Sequence, residues 1–138
     1  MIAVDTNVLV RFLVADDEVR AAAATAAFEA AGRKRIGIYV SQIVVCELVW
    51  VLARAYRHGR AEIASVLENL LRSGGVEVEG RDEVVRAANS FAAGKADFAD
   101  YLIREKARSA GCASVLTFDA ALLREPEFVR PSAKAVIG

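Results

Sequence analysis

Apolar residues along the chain fall into short runs that are separated by longer stretches with helical spacing. The short runs predict buried strands at residues 1–4, 36–40, 76–79 and 113–117, with a fifth edge strand at 135–137. Apolar positions three or four residues apart predict helices from Val8 onward and over residues 16–32, 42–57, 61–71, 82–93 and 97–110. Strands that alternate with helices predict a three-layer α/β domain with a mainly parallel central sheet of four to five strands.

Polar residues mark where two of these helices begin. Asp16, Asp17 and Glu18 precede an Ala-rich stretch that Gly32 ends, and Ser41 stands directly before the helix at 42–57. Short side chains with an oxygen atom accept hydrogen bonds from the free amides of a first helical turn. We therefore expect Ser41 to cap its helix, and the three acidic residues to open the Ala-rich one.

Length and composition indicate a single folded domain that covers residues 1–138. Hydrophobic residues make up 55% of the chain and charged residues 26%, which is typical of a folded soluble protein. No apolar run approaches the roughly 20 residues of a membrane span, and Asp5 interrupts the first run, so we expect a cytoplasmic protein. The net charge of zero provides no overall attraction to nucleic acid.

Two aspartates follow predicted strands. Asp5 ends the first strand, and Asp119 follows the run at 115–118. The carboxyl ends of parallel strands are where open α/β sheets place their ligands, so these side chains are candidates for one site. Each also has a structural explanation, because an Asp before a helix accepts hydrogen bonds from backbone amides.

Glu47 is the only charged residue in the apolar stretch at 43–52. Such a stretch predicts a helix that is buried on all sides, in which a lone carboxylate is unfavourable unless it is paired or binds a metal. No Lys or Arg stands three or four positions away within the helix to pair with it. We therefore favour a functional role for Glu47 over an edge position that reaches solvent.

Asp97 and Asp100 stand three residues apart at a helix start and share one face of that helix. The helix dipole explains a carboxylate at Asp97, but its effect fades by Asp100, one turn further along. Like charges about 4 Å apart repel by roughly 4 kcal/mol at an effective dielectric constant near 20. A hard divalent cation with oxygen ligands would offset this repulsion, and Mg²⁺ is the expected ion, with Mn²⁺ as a substitute.

Four segments of the chain together resemble PIN-domain ribonucleases, in particular the VapC toxins of bacterial toxin–antitoxin pairs. These segments are residues 4–9, 47–52, 96–103 and 116–119. The resemblance covers nearly the whole chain. It implies a doubly wound sheet with a metal held by four carboxylates, Asp5, Glu47, Asp100 and Asp119, and an accessory position at Asp97 that only some members carry. It also implies supporting or substrate-orienting roles for Thr6, Asn7 and Thr117.

The same resemblance implies an activity and partners. The expected function is a Mg²⁺-dependent endoribonuclease, the toxin of a toxin–antitoxin pair, that cuts single-stranded regions of RNA with a water activated by the metal. The family implies a homodimer and a cognate antitoxin protein that covers the active-site groove.

Other functions remain open. A phosphoacceptor receiver domain has a similar length and an acidic Mg²⁺ site, but it needs adjacent acidic residues after the first strand and a lysine after a late strand. Here Asp16 and Asp17 lie well past the first strand, and Asp119 follows the late one. A PIN-like RNA-binding protein without catalysis is a second alternative. A phosphatase is a third, although the chain has no nucleophilic Asp-x-Asp pair.

Overall fold

The computed structural model describes residues 1–14 and 17–137. The chain forms two compact units, Met1–Arg81 and Asp82–Gly138. Within the described residues, every helix is too short or too polar to cross a lipid bilayer.

The first unit contains a three-stranded parallel sheet with β2 in the centre. Its strands are β1 (Ile2–Ala3), β2 (Ile38–Val40) and β3 (Val76–Val78). Ile2 pairs with Ile38, and Ile38 pairs with Val76. Parallel strands need long crossover connections, which four helices provide: α1 (Thr6–Val14), α2 (Glu18–Arg33), α3 (Gln42–Arg54) and α4 (Arg60–Arg72).

One apolar stripe on each helix builds the core of the first unit. In α3, the side chains of Val45, Leu48 and Leu52 recur at helical spacing and are fully buried. Full burial of such a side chain contributes roughly 1.5–3 kcal/mol. The other buried apolar residues of this unit come from the remaining helices and from the strands: Leu9, Val10, Ala21, Ala24, Ala31, Ile63, Leu67, Leu70, Ile38, Val40 and Val78.

The second unit is mainly helical, with one pair of short parallel strands. Helix α5 (Arg81–Ala93) starts at the boundary between the units, and α6 (Phe98–Ser109) follows it. Strands β4 (Val115–Leu116) and β5 (Phe128–Val129) pair in parallel, with a 3₁₀ helix (Leu122–Arg124) between them, and α7 (Ala133–Ile137) ends the described chain.

The core of the second unit combines apolar packing with buried charge. Phe91 and Phe98 meet edge to face with ring centroids 6.3 Å apart. Glu105 has no solvent exposure. Its carboxylate lies 2.8 Å from Arg86 Nε and 2.7 Å from Arg108 Nη1, and these two cations compensate for the burial of its charge.

The predicted α/β class with parallel strands is confirmed. The five strands are divided between a three-stranded and a two-stranded sheet, so the largest sheet has fewer strands than the four to five expected. Most of these strands are only two residues long, so each offers few backbone hydrogen bonds for extending a sheet.

Two predicted elements need correction or completion. The strand expected at 135–137 is wrong, because Ser132 Oγ accepts a hydrogen bond from the Ala135 amide (3.0 Å) and the segment forms helix α7. The helix opens at the acidic run as expected, and Asp17 caps it, since its Oδ1 accepts from the Arg20 amide at 3.0 Å. Asp16, predicted to contribute to the same helix start, lies outside the described residues.

Candidate active site

Asp5 connects β1 to α1 and caps that helix. Its Oδ1 accepts a hydrogen bond from the Val8 amide at 3.1 Å, and its backbone carbonyl accepts from the Leu9 amide at 3.2 Å. The cap is thus made by Asp5 rather than by Thr6 or Asn7. The capping bond uses one carboxylate oxygen of Asp5, and the second oxygen takes no part in that bond.

Thr6 links the start of α1 to Glu47 on α3. The Thr6 hydroxyl donates to Glu47 Oε2 at 3.2 Å, across 41 residues of sequence. Helices α1 and α3 pack against each other, which places this pair at their junction. Within the first unit, the predicted residues Asp5, Thr6 and Glu47 therefore belong to one neighbourhood.

The prediction that Glu47 is buried is wrong. Glu47 is exposed, and on the same helix Ile43 and Trp50 are 71% and 61% exposed. These residues lie on one face of α3, opposite the buried stripe of Val45 and Leu48. Apolar composition alone did not distinguish the two faces, so burial cannot be the reason for a functional role of Glu47.

Two side chains hold the N-terminus of α3, the helix that carries Glu47. Ser41 Oγ accepts from the Val44 amide at 3.2 Å, which confirms the predicted cap. Glu79, which directly follows β3, accepts from the Gln42 amide at 2.9 Å. Glu79 was not predicted as a functional residue, although its position after an alternating strand was a usable signal.

An open groove of about 680 Å³ lies between α1 and α3. Asp5, Thr6, Asn7 and Glu47 contribute polar groups to its lining, and Arg11 and Tyr56 add a guanidinium and a phenol. Val10, Val44, Val51 and Ala55 supply an apolar lining. The volume falls in the range of small-molecule and nucleotide sites, which combine an apolar surface with a few polar groups.

In the second unit, Asp97 and Asp100 lie at the start of α6. Asp97 is the residue before the helix, but its side chain makes no capping hydrogen bond. Burial raises the pKa of the Asp100 carboxyl above its ordinary value, and the charges of Asp97 and Asp119 raise it further. A hydrogen bond with the Asp97 backbone acts in the opposite direction. The three carboxylates of this unit therefore interact electrostatically.

Asp119 forms the turn after β4. Its Oδ1 accepts from the amides of Ala121 (2.8 Å) and Leu122 (3.3 Å), at the start of the 3₁₀ helix. Its own amide donates to Thr117 Oγ1 at 3.0 Å. Thr117 thus holds the backbone of Asp119, as a supporting residue would.

The donor set of the candidate residues is made only of carboxylate oxygens, which suits hard cations. Within residues 1–14 and 17–137, however, no three Asp, Glu, His or Cys side chains lie close enough together to hold a metal ion. Each unit by itself supplies part of the predicted ligand set: Asp5 and Glu47 in the first, and Asp97, Asp100 and Asp119 in the second.

Comparison with known families decides the family of the chain. The PIN domain model matches residues 2–127, which include all five candidate carboxylates. The chain belongs to the PIN domain family. A similar protein is the VapC ribonuclease of Aquifex aeolicus (strain VF5), which is 29% identical over 114 residues, or 83% of this chain and 84% of the relative. The predicted family resemblance is confirmed.

Several polar residues of this PIN domain were not predicted as important. Tyr101, Arg104 and Glu105 follow Asp100 on α6, and all three are buried. Spacing in the sequence shows that Glu105 and Arg108 can pair as i and i+3 neighbours. It does not show that Glu105 is inaccessible to solvent, because one of its partners, Arg86, stands 19 residues away.

Proposed function

We propose that the protein is a metal-dependent endoribonuclease, the toxin of a toxin–antitoxin pair, that cleaves single-stranded regions of RNA. The observation that carries this proposal is the match to the PIN domain over residues 2–127, because this span retains every acidic residue predicted for the site. The relative named as a VapC ribonuclease supports RNA as the substrate. We further propose that residues 1–138 act as one PIN domain.

In this proposal four carboxylates hold Mg²⁺ or Mn²⁺: Asp5, Glu47, Asp100 and Asp119. Asp97 is an accessory carboxylate whose charge acts on Asp100. The all-oxygen donor set fits these ions. The raised pKa of Asp100 is a second argument, because a bound cation would relieve the unfavourable charge that the neighbouring carboxylates impose. When bound, a divalent cation stabilises charge on the scissile phosphodiester and lowers the pKa of water at the site.

Neighbouring residues position the carboxylates and the RNA. The hydroxyl of Thr6 orients the Glu47 carboxylate through their hydrogen bond, and Thr117 holds the Asp119 amide. Asn7 lines the groove beside Asp5, where its amide can bond to a phosphate or to a base edge. The apolar part of the lining offers a surface for a sugar or a base.

We also propose a homodimer and a cognate antitoxin as protein partners, in the cytoplasm. Membership of the PIN family and the name of the similar protein are the main support. Large exposed apolar side chains on α3, Ile43 and Trp50, are typical of surfaces that another protein covers.

The test of the nuclease proposal is cleavage of a fluorescently labelled single-stranded RNA by the purified chain. We expect cleavage with Mg²⁺ or Mn²⁺, none with EDTA, and recovery when the metal is restored. Growth arrest on expression in bacteria, relieved by co-expression of a small protein encoded next to it, would support the toxin role. Binding of RNA without cleavage under every metal condition would instead favour the non-catalytic alternative. Labelling by acetyl phosphate without nuclease activity would favour the receiver alternative.

A further inference from the structure

The hydroxyl of Tyr101 is a buried junction inside the second unit. Tyr101 is 1% exposed, and its hydroxyl donates to Glu125 Oε1 at 2.7 Å. The Tyr101 hydroxyl oxygen also accepts a hydrogen bond from the Ala96 amide at 3.2 Å. One side chain therefore bonds both to the residue that directly precedes Asp97 and to a segment more than 20 residues further along the chain.

The packing around Tyr101 leaves its ring little freedom. A Cβ atom at Gly94 would lie 1.9 Å from the Tyr101 hydroxyl oxygen, so only glycine fits beside it without a shift. On the other side the Arg104 guanidinium lies 5.2 Å from the ring centroid and 3.9 Å from Glu125 Oε2. Arg104 is itself fixed by a hydrogen bond to Ser90 Oγ at 3.1 Å.

Glu125 belongs to the same local structure as Asp119. The Glu125 amide donates to the Leu122 carbonyl at 2.8 Å, and the Leu122 amide donates to Asp119 Oδ1 at 3.3 Å. The 3₁₀ helix of three residues lies between Asp119 and Glu125. A contact that holds Glu125 therefore also restrains the turn of Asp119.

We propose that the Tyr101–Glu125 hydrogen bond is a positioning contact that sets the distance between the α6 start, with Asp97 and Asp100, and the turn of Asp119. The proposal rests on the proposed function, since it assigns a role to this bond only if those carboxylates bind a divalent cation. Tyr101 and Glu125 touch neither metal nor RNA in this role. They act through the backbone at Ala96 and through the 3₁₀ helix.

Groups that orient the ligands of a metal typically change its affinity by 10- to 100-fold when they are removed. The contact joins segments that are far apart in sequence, so neither segment can restore the spacing alone. Loss of the bond should weaken metal binding. It should leave the rate at saturating metal unchanged, because an excess of cation draws the ligands together.

The experiment compares Tyr101→Phe, Glu125→Ala and Glu125→Gln with the parent chain. Mn²⁺ binding is measured by calorimetry, and RNA cleavage is measured as a function of Mn²⁺ concentration. We expect Tyr101→Phe and Glu125→Ala to raise the dissociation constant for Mn²⁺ about tenfold, with an equal rise in the Mn²⁺ concentration for half-maximal cleavage. Glu125→Gln should bind Mn²⁺ like the parent, because its side-chain carbonyl still accepts from Tyr101.

Glu68→Ala is the matched control for Glu125→Ala. It removes a carboxylate from the first unit, where that group pairs with Arg72, and it should leave the affinity for Mn²⁺ unchanged. The Glu125 side chain is 24% exposed, so Glu125→Ala should disturb the fold less than a change at the buried Tyr101. Glu125→Ala therefore decides the question if Tyr101→Phe does not fold.

The outcomes separate the two proposals. Parent-like affinity in both Tyr101→Phe and Glu125→Ala would overturn the positioning role while RNA cleavage still supports the nuclease. A loss of cleavage at saturating Mn²⁺ with unchanged affinity would also overturn it. If the parent binds Mn²⁺ and cuts no RNA, a weaker affinity in the variants supports positioning, and the nuclease proposal fails. A parent that neither binds Mn²⁺ nor cuts RNA overturns both.

Discussion

Replacing Asp5 by asparagine separates two roles of this side chain. Asp5 caps α1 through Oδ1, which accepts from the Val8 amide at 3.1 Å. In the proposed function its negative charge also binds the divalent cation. Asparagine retains a carbonyl oxygen at the same place and caps helices as well as aspartate does, but it carries no charge.

The two roles predict different magnitudes for two substitutions. Asp5→Ala removes the cap and should lower the free energy of unfolding by about 1 kcal/mol, which corresponds to a fall in Tm of roughly 4 °C in a chain of this size. Asp5→Asn should leave Tm nearly unchanged. Both variants lose the charge, so cleavage of RNA should fall by about 10²-fold or more in each.

The assay combines thermal unfolding followed by circular dichroism with cleavage of a labelled single-stranded RNA at saturating Mg²⁺. Cleavage by Asp5→Asn at the rate of the parent would refute the role of Asp5 as a metal ligand. An equal loss of Tm in Asp5→Asn and Asp5→Ala would instead refute the capping argument. The two results are independent, because one is measured without RNA or metal.

Three further predictions concern the second unit. Asp100→Asn should raise Tm at pH 7 without metal, because a raised pKa means that the ionised form of Asp100 is unfavourable in the folded protein. This gain should shrink as the pH falls through the raised pKa and should be gone below the ordinary carboxyl pKa. Gly94→Ala should lower the free energy of unfolding by about 2–3 kcal/mol through its clash with Tyr101, and the loss should be smaller in a Tyr101→Phe background, as thermal or urea unfolding would show. Glu105→Ala should lower the free energy of unfolding by about 3–5 kcal/mol in urea, whereas Glu68→Ala, which breaks an exposed pair, should change it by less than about 1 kcal/mol.

Each of these predictions has a result that contradicts it. For Asp100, a gain in Tm that persists at pH 3 would show that charge is not the cause. For Gly94, equal destabilisation in both backgrounds would show that the clash does not involve the Tyr101 hydroxyl. For Glu105, a loss no larger than that of Glu68→Ala would show that its buried ion pairs contribute little to stability.

Much of the helical structure followed from local pattern. The predicted helix at 82–93 corresponds to α5, Arg81–Ala93, and the one at 97–110 corresponds to α6, Phe98–Ser109. Caps such as Ser41 could be assigned because capping is a contact between near neighbours in the chain. The strands were harder, since β5 has only two residues and thus too few for an alternating pattern.

The acidic candidates could be found in the sequence for a related reason. Asp5 and Asp119 stand at the ends of predicted strands, and Asp97 and Asp100 at the start of a predicted helix, so their positions depend on local structure. Glu47 differs from the other candidates, because its predicted role depended on burial and the residue is exposed. The direction in which a helix face points depends on which neighbours pack against it.

Local sequence specifies where helices start, where strands end and which carboxylates stand there, because capping, hydrophobic period and turn chemistry act over a few residues. It also carries the family, since the PIN domain model matches residues 2–127. Packing decides the rest: the exposed face of α3, the inaccessible charge of Glu105 and the bond between Tyr101 and Glu125. Each of these features depends on residues tens of positions apart in the sequence. Burial and hydrogen bonding between such residues exist only after the helices and strands have packed.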